Sequence, residues 1–174
     1  ENPGRVVSKM VADRKKILQN YDLPLSEAYT DKREYARKLM EIAESRGVRV
    51  RYVDKKNLEN AGLEGGIKSD GTLVVPKIDL SDESQRGALN WSVGFAHELI
   101  HAFQMVKSPD MPIENMEYES YVATYLPTAV SLVATDHRGE EWGDLHDRLV
   151  AESILKLVRG SSLGYYEKVG QDLL

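Results

Sequence analysis

Two histidines four residues apart, with a glutamate directly after the first, make up the stretch His97-Glu98-Leu99-Ile100-His101. On a helix, positions 97 and 101 lie one turn apart on the same face, so both imidazoles can grip one metal ion. Glu98 flanks the pair, about 100° further round, where a carboxylate can take a proton from metal-activated water rather than coordinate. The chemistry this HExxH spacing can perform is hydrolysis, with two His as ligands and Glu98 as general base. Leu99 and Ile100 are apolar, as a buried site helix requires, and Gly94, one turn before His97, leaves room beside an ion. Two histidines do not complete such a site. A catalytic zinc takes three protein ligands and keeps a fourth position open.

The elements that must position these residues can be read from periodicity. An amphipathic helix is predicted from about Arg5 to Tyr21, with Val7, Met10/Val11, Ile17/Leu18 and Tyr21 on its apolar face, ended by Asn20-Tyr21-Asp22-Leu23-Pro24. A second helix starts near Asp31, with Glu34 three residues on as a capping-box signature, and closes at Gly47. Its Lys32, Arg33, Arg37 and Lys38 read as a solvated face partnered by Glu34 and Glu41. Val48, Val50 and Tyr52 then alternate with Arg49 and Arg51 as a half-buried strand. The segment 57–64 reads as irregular. Residues 65–76 read as a hairpin turning at Ser69-Asp70-Gly71, and Pro76, which cannot donate to a ladder, points to an edge strand. Ser81 or Asp82 is expected to cap the long helix that carries the HExxH stretch through Phe103 or beyond, with Leu89, Val93, Ala96, Ile100 and Phe103 in the core. After a break at 107–112, two helices are expected, Glu114–Ala134 with a kink at Pro127 and Glu140–Val158, the latter with Leu145, Leu149, Ile154 and Leu157/Val158 inward. The tail 161–174 can add a short helix. The fold class expected is α+β: a mainly helical core with a small antiparallel-edged sheet before the HExxH helix, as one domain over 1–174.

Composition bounds the function classes. A chain of 174 residues can bury a core without staples, and 41% hydrophobic with 29% charged residues is ordinary for a soluble globular protein. There is no cysteine, so a metal must be held by His and carboxylate. A net charge of −5 argues against a general nucleic-acid binder. The imbalance is local: residues 1–56 carry 14 Lys and Arg against 9 Asp and Glu, whereas 57–174 carry 9 against 19. No run reaches the length of a membrane span and no signal peptide is visible, so a soluble protein is expected, either cytoplasmic or secreted or translocated as an effector.

For the third ligand, the position six residues past His101 is Lys107, and Asp110 sits in a Pro-flanked loop. Glu114, Glu117 and Glu119 on the next helix remain. Among these the line Met116, Glu119, Val122/Ala123, Leu126, Ala129/Val130, Val133 is apolar except at 119, whereas the line through Glu117 runs Ser120, Tyr121, Thr124. A lone carboxylate in an apolar stripe is costly to bury unless paired or metal-bound, so Glu119 is the expected ligand, with a buried Arg or Tyr partner as its other explanation. Gln104, one turn past His101, reads either as an orienting partner of that histidine or as a solvent-facing residue.

The order of these parts, and His97-Glu98-Leu99-Ile100-His101-Ala102-Phe103-Gln104 followed by Glu117-Tyr118-Glu119-Ser120-Tyr121-Val122-Ala123, resembles gluzincin-type HExxH zinc metallopeptidases. It is similar in particular to the compact intracellular peptidases related to phage-repressor-cleaving enzymes, and to metallopeptidase domains of bacterial toxins and effectors. The resemblance covers roughly residues 30–135. It implies a zincin-like fold, one Zn2+ per chain, a Glu on a following helix as third ligand, and cleavage of a protein or peptide substrate added as an antiparallel strand along the edge ending at Val75. No DNA-binding helix-turn-helix accompanies the site. The expected activity is a zinc-dependent endopeptidase, in a bacterial effector or toxin setting, with Glu98 moving the proton of the attacking water to the leaving amine. An inactive zincin-fold interaction module and a zinc hydrolase of small peptides or amides are the other readings. An oxyanion donor is also needed, for which His137, His146, Tyr165 and Tyr166 are candidates.

Overall fold

A computed structural model describes the backbone of residues 2–169 and the side chains of 2–161. The chain runs α1 (Pro3–Asn20), a 3-10 turn (Ser26–Ala28), α2 (Lys32–Ser45), β1 (Val50–Val53), α3 (Lys55–Asn60), β2 (Gly66–Ile67), β3 (Leu73–Pro76), α4 (Gln85–Lys107), α5 (Ile113–Asp136) and α6 (Asp144–Val169). It is mainly helical with a three-stranded sheet, an α+β arrangement. Among the described residues, no helix is long and apolar enough to cross a membrane.

The first helices form where their patterns place them. Asp31 accepts from the Arg33 amide to cap α2, which buries Tyr35, Ala36, Leu39, Ile42 and Ala43. Arg33 pairs with Asp31 and Lys38 with Glu41, so this basic cluster is partnered at the surface. The segment expected to be irregular contains α3, a short helix whose Leu58 is buried with Val53, Leu63 and Val74 in a small second cluster.

The sheet corrects one expectation. Its order is β1-β3-β2, with β3 parallel to β1 and antiparallel to β2, so β3 is the middle strand and not an edge. The Leu73 and Lys77 amides donate to Arg49 and Val53 on the β1 side, which turns the amide position of 76 towards β2. β2 pairs only as far as Val74. The missing donor of Pro76 therefore falls past the end of its partner, where it costs no ladder bond. The proline's local constraint holds, but it does not make the strand an edge.

α4 starts at Gln85, capped by Ser84 accepting from Gly87, two or three residues later than a cap at Asp82 or Ser81 would place it. The Ser81 amide and hydroxyl are both taken by the Asp79 carboxylate, which keeps that stretch in a turn. Its buried face is Ala88, Ser92, Phe95, Ala96, Leu99 and Ile100; Leu89, Val93 and Phe103 are only partly covered. α6 runs unbroken to Val169, so the tail is a continuation rather than a separate helix, and 170–174 lie outside the described residues. Its inward residues are His146, Val150, Ala151, Ile154 and Val158, while Leu145 faces out at 40% exposure.

α5 is the hub, packed against α1, α4 and α6. It continues through Pro127, whose absent N–H leaves the Ala123 carbonyl without its helical donor. Arg14 of α1 supplies one: its Nε donates to that oxygen at 3.1 Å, while its two terminal nitrogens fork onto Glu27 at 2.8 and 2.7 Å. Arg14→Met is expected to destabilise the protein by about 1–3 kcal/mol, because a carbonyl in the helix interface loses the donor that replaces the missing proline N–H. A denaturant midpoint that does not move would remove this account of Pro127. The Arg14 hydrogen bonds also hold the Glu27 carboxyl down at about 2. The pair's contribution is thus present above the ordinary carboxylate range and is lost as the pH falls towards that value.

Candidate metal centre

His97 and His101 leave α4 on the face turned to α5, where the two helices lie close because Ser120 is small and fully buried. The Ser120 hydroxyl donates to the His97 carbonyl at 2.8 Å, pinning one helix to the other at the level of the motif. Across this contact Glu117 reaches the histidines. Its Oε1 lies 2.9 Å from His101 Nε2 and its Oε2 3.5 Å from His97 Nε2, and the two Nε2 atoms are 3.1 Å apart. Ligands at 2.0–2.2 Å in a tetrahedral arrangement stand about 3.4 Å from one another; the 3.1 Å between the two Nε2 atoms is near that, and one Glu117 oxygen approaches each histidine. His97, His101 and Glu117 could hold a metal ion, and among the described residues they are the group of His and carboxylate side chains that meets this condition.

The electrostatics favour a cation there. Glu117 is 4% exposed. Burial by itself pushes its carboxyl up, but the imidazoles of His101 and then His97 beside it outweigh that and hold it at about 2. At His101 burial pulls down, and the Glu117 carboxylate, aided by Glu98, raises the imidazole above its ordinary value. Glu117 Oε2 is buried without a hydrogen bond among the described residues, its nearest cationic neighbour being His97 at 3.5 Å. A buried carboxylate oxygen left with so little is explained if a positive ion sits beside it.

Glu119 does not join this group. It is turned towards α1, where Tyr21 donates to its Oε1 at 2.6 Å and Gln104 Nε2 donates at 3.0 Å. The expected ligand role of Glu119 is therefore corrected to Glu117. The stripe argument assumed one buried face, whereas α5 is enclosed by three helices, and its apolar line packs against neighbours that have nothing to do with the histidines. On a helix buried on several sides, the polar line Glu117, Ser120, Tyr121, Thr124 is the unusual one, and it faces the metal group and the open space beside it. Glu119 meets a tyrosine, the other explanation its burial allowed.

That space is a cavity of about 700 Å3 between α4, α5, the start of β2 and the far part of α6. Glu98 lines it together with all three members of the metal group. Trp91 forms part of its wall, fixed by its indole N–H donating to the Pro76 carbonyl at 3.0 Å and by stacking on Phe95. Tyr121 leans on the His97 ring with centroids 4.4 Å apart and bonds Ser161 through its hydroxyl at 2.6 Å. A Cβ added at Gly94 would meet nothing within 4 Å, so this glycine opens the mouth of the cavity rather than serving packing. Gln104 is fully buried and its Oε1 lies 2.7 Å from His101 Nδ1, which settles it as an orienting partner.

No protein-family model matches this chain, and no curated protein or solved structure matches it either.

Of the oxyanion candidates, His137 and His146 stand apart from the cavity. His146 is buried against Trp142, ring centroids 4.7 Å apart, and His137 pairs with Glu140 at 3.2 Å. The side chains of Tyr165 and Tyr166 lie outside the described residues. Tyr121 and Tyr125, which do line the cavity, were missed because the HExxH spacing says nothing about what faces it.

Proposed function

We infer that this chain is a zinc-dependent endopeptidase with a zincin-like, gluzincin-type site: His97, His101 and Glu117 hold one Zn2+, and Glu98 is the general base. The observation that carries the reading is Glu117 meeting the two histidines at ligand separations, with Glu98 on the wall of the same cavity. Zinc, when bound, supplies Lewis acidity to water and to a scissile carbonyl. Glu98, one residue past His97 and unable to reach inward with it, takes the proton of the attacking water on a carboxylate oxygen and returns it to the leaving amine. A carboxylate ligand beside two neutral histidines leaves a singly positive centre, as in peptidases with a His2Glu set.

A peptide rather than a small amide suits the cavity's size and its backbone rim. The strand beside it is β2, two residues long and paired on one side only, so Gly66 and Ile67 are the backbone partners for an extended substrate, in place of the edge at Val75. By its resemblance the protein is also proposed to work as a bacterial effector or toxin.

Terminal-peptide mapping of a proteome treated with wild type or with Glu98→Gln tests the activity. New amino termini that appear with wild type alone are expected. Identical termini in both samples would defeat the endopeptidase reading.

A further inference from the structure

The lone carboxylate of Glu119 still needs a reason to be where it is. Gln104 Nε2 carries two hydrogens, and both are committed: one to the Met116 carbonyl at 3.1 Å and one to Glu119 Oε1 at 3.0 Å. Tyr21, at the end of α1, donates to the same Glu119 oxygen at 2.6 Å. Flipping the Gln104 amide would set its oxygen against two acceptors, a carbonyl and a carboxylate, at full burial. The amide is thus held one way round, with Oε1 at 2.7 Å from His101 Nδ1. An acceptor at that distance requires a hydrogen on Nδ1. With that hydrogen on Nδ1, the form of His101 able to bind an ion is the one without a proton on Nε2, the atom 3.1 Å from His97 Nε2 and 2.9 Å from the Glu117 carboxylate.

We propose that Glu119 and Tyr21 are positioning residues that act through Gln104 to lock His101 in the tautomer whose Nε2 can bind a metal ion. This rests on reading His97, His101 and Glu117 as a metal site. It explains why a carboxylate interrupts the apolar stripe of α5 and why the first helix contributes a hydroxyl to a pair of helices far along the chain. The surroundings of the tyrosine suit the task. Burial and then the Glu119 carboxylate push its phenol above the ordinary value, so it stays a donor. Its ring lies against Phe103 and under the Lys107 ammonium, whose Nζ also donates to the Asn20 carbonyl at 2.6 Å, so α1 and α4 are clamped where the hydroxyl must reach.

Two measurements on the full chain test it. Zinc affinity, by competition with a chromophoric chelator, is expected to fall by up to about 10-fold in Glu119→Ala, which loses the group that holds Gln104, whereas loss of a ligand's direct partner costs about 10- to 100-fold. The second measurement needs no variant and no metal. The 15N shifts of the His101 ring in the metal-free protein, above the pH at which it loses its proton, are expected to report the Nδ1–H tautomer. In Glu119→Ala they are expected to move towards a mixture. Unchanged zinc affinity in a folded Glu119→Ala protein overturns the proposal, and so does an Nε2–H signature in wild type. A wild type that binds no zinc but shows the Nδ1–H tautomer overturns the metal reading and leaves the tautomer lock standing, so the two failures are distinct.

Discussion

Glu98→Gln is expected to keep its zinc and its fold while peptidase activity falls by roughly 10²-fold or more, the contribution of a positioned general base. The amide keeps the shape of the carboxylate and removes its basicity. Among the described residues, the contacts that hold His97 and His101 in place belong to Glu117, Gln104 and Ser120 and not to Glu98. The loss should appear in kcat, because the proton moves only after substrate is bound. Zinc content measured beside turnover separates the outcomes. A variant that loses metal with activity would make Glu98 a structural member of the site, and one that stays active would end its assignment as base.

Glu117→Ala is expected to have the largest effect on the metal. An outer partner costs about 10- to 100-fold in affinity, so loss of the carboxylate ligand itself should exceed about 10²-fold and leave the protein close to metal-free after dialysis. The substitution also leaves two imidazoles facing one another at 3.1 Å without the Glu117 carboxylate beside them. Metal analysis of Glu117→Ala beside Glu119→Ala gives the comparison. Weakened but measurable binding in the second and near absence in the first is the expected order. The opposite order would return the ligand to Glu119 and require α5 to turn on its axis.

How much of this could be read beforehand depends on how local the cause is. The histidine pair, Glu98 and the helix that carries them follow from spacing along one element, and the helical starts at Asp31 and near the N-terminus follow from caps and apolar periodicity. The third member of the group does not, because choosing between Glu117 and Glu119 needs the rotation of α5 about its axis. That rotation is set by three packing partners at once, and the stripe through Met116 and Val122 faces helices rather than the histidines. Pro76 is a similar case. Its missing donor was visible, but whether the gap falls at a sheet edge or past the end of a short neighbour depends on where β1 docks. Gln104 stood between two readings until the Met116 carbonyl and Glu119 were seen to use both of its hydrogens.

The metal group is drawn wholly from α4 and α5, a helical hairpin closed by the short turn at 108–112, so an ion there closes only a small loop of chain. Closing a short loop removes little disorder from the unfolded chain, and the sheet and α6 take no part in it. The ion is in that sense a clip on one hairpin and not a brace for the molecule. Of the contacts that tie this hairpin to the rest, the one that reaches the support of His101 is the Tyr21 hydroxyl, spanning 98 positions of sequence to Glu119. In the assembly of the native chain, the hairpin can therefore bring its ligands together from local contacts, whereas the last polar partner of His101's support arrives only with the docking of α1. On this ordering, docking of α1 would be the step that completes the support of His101.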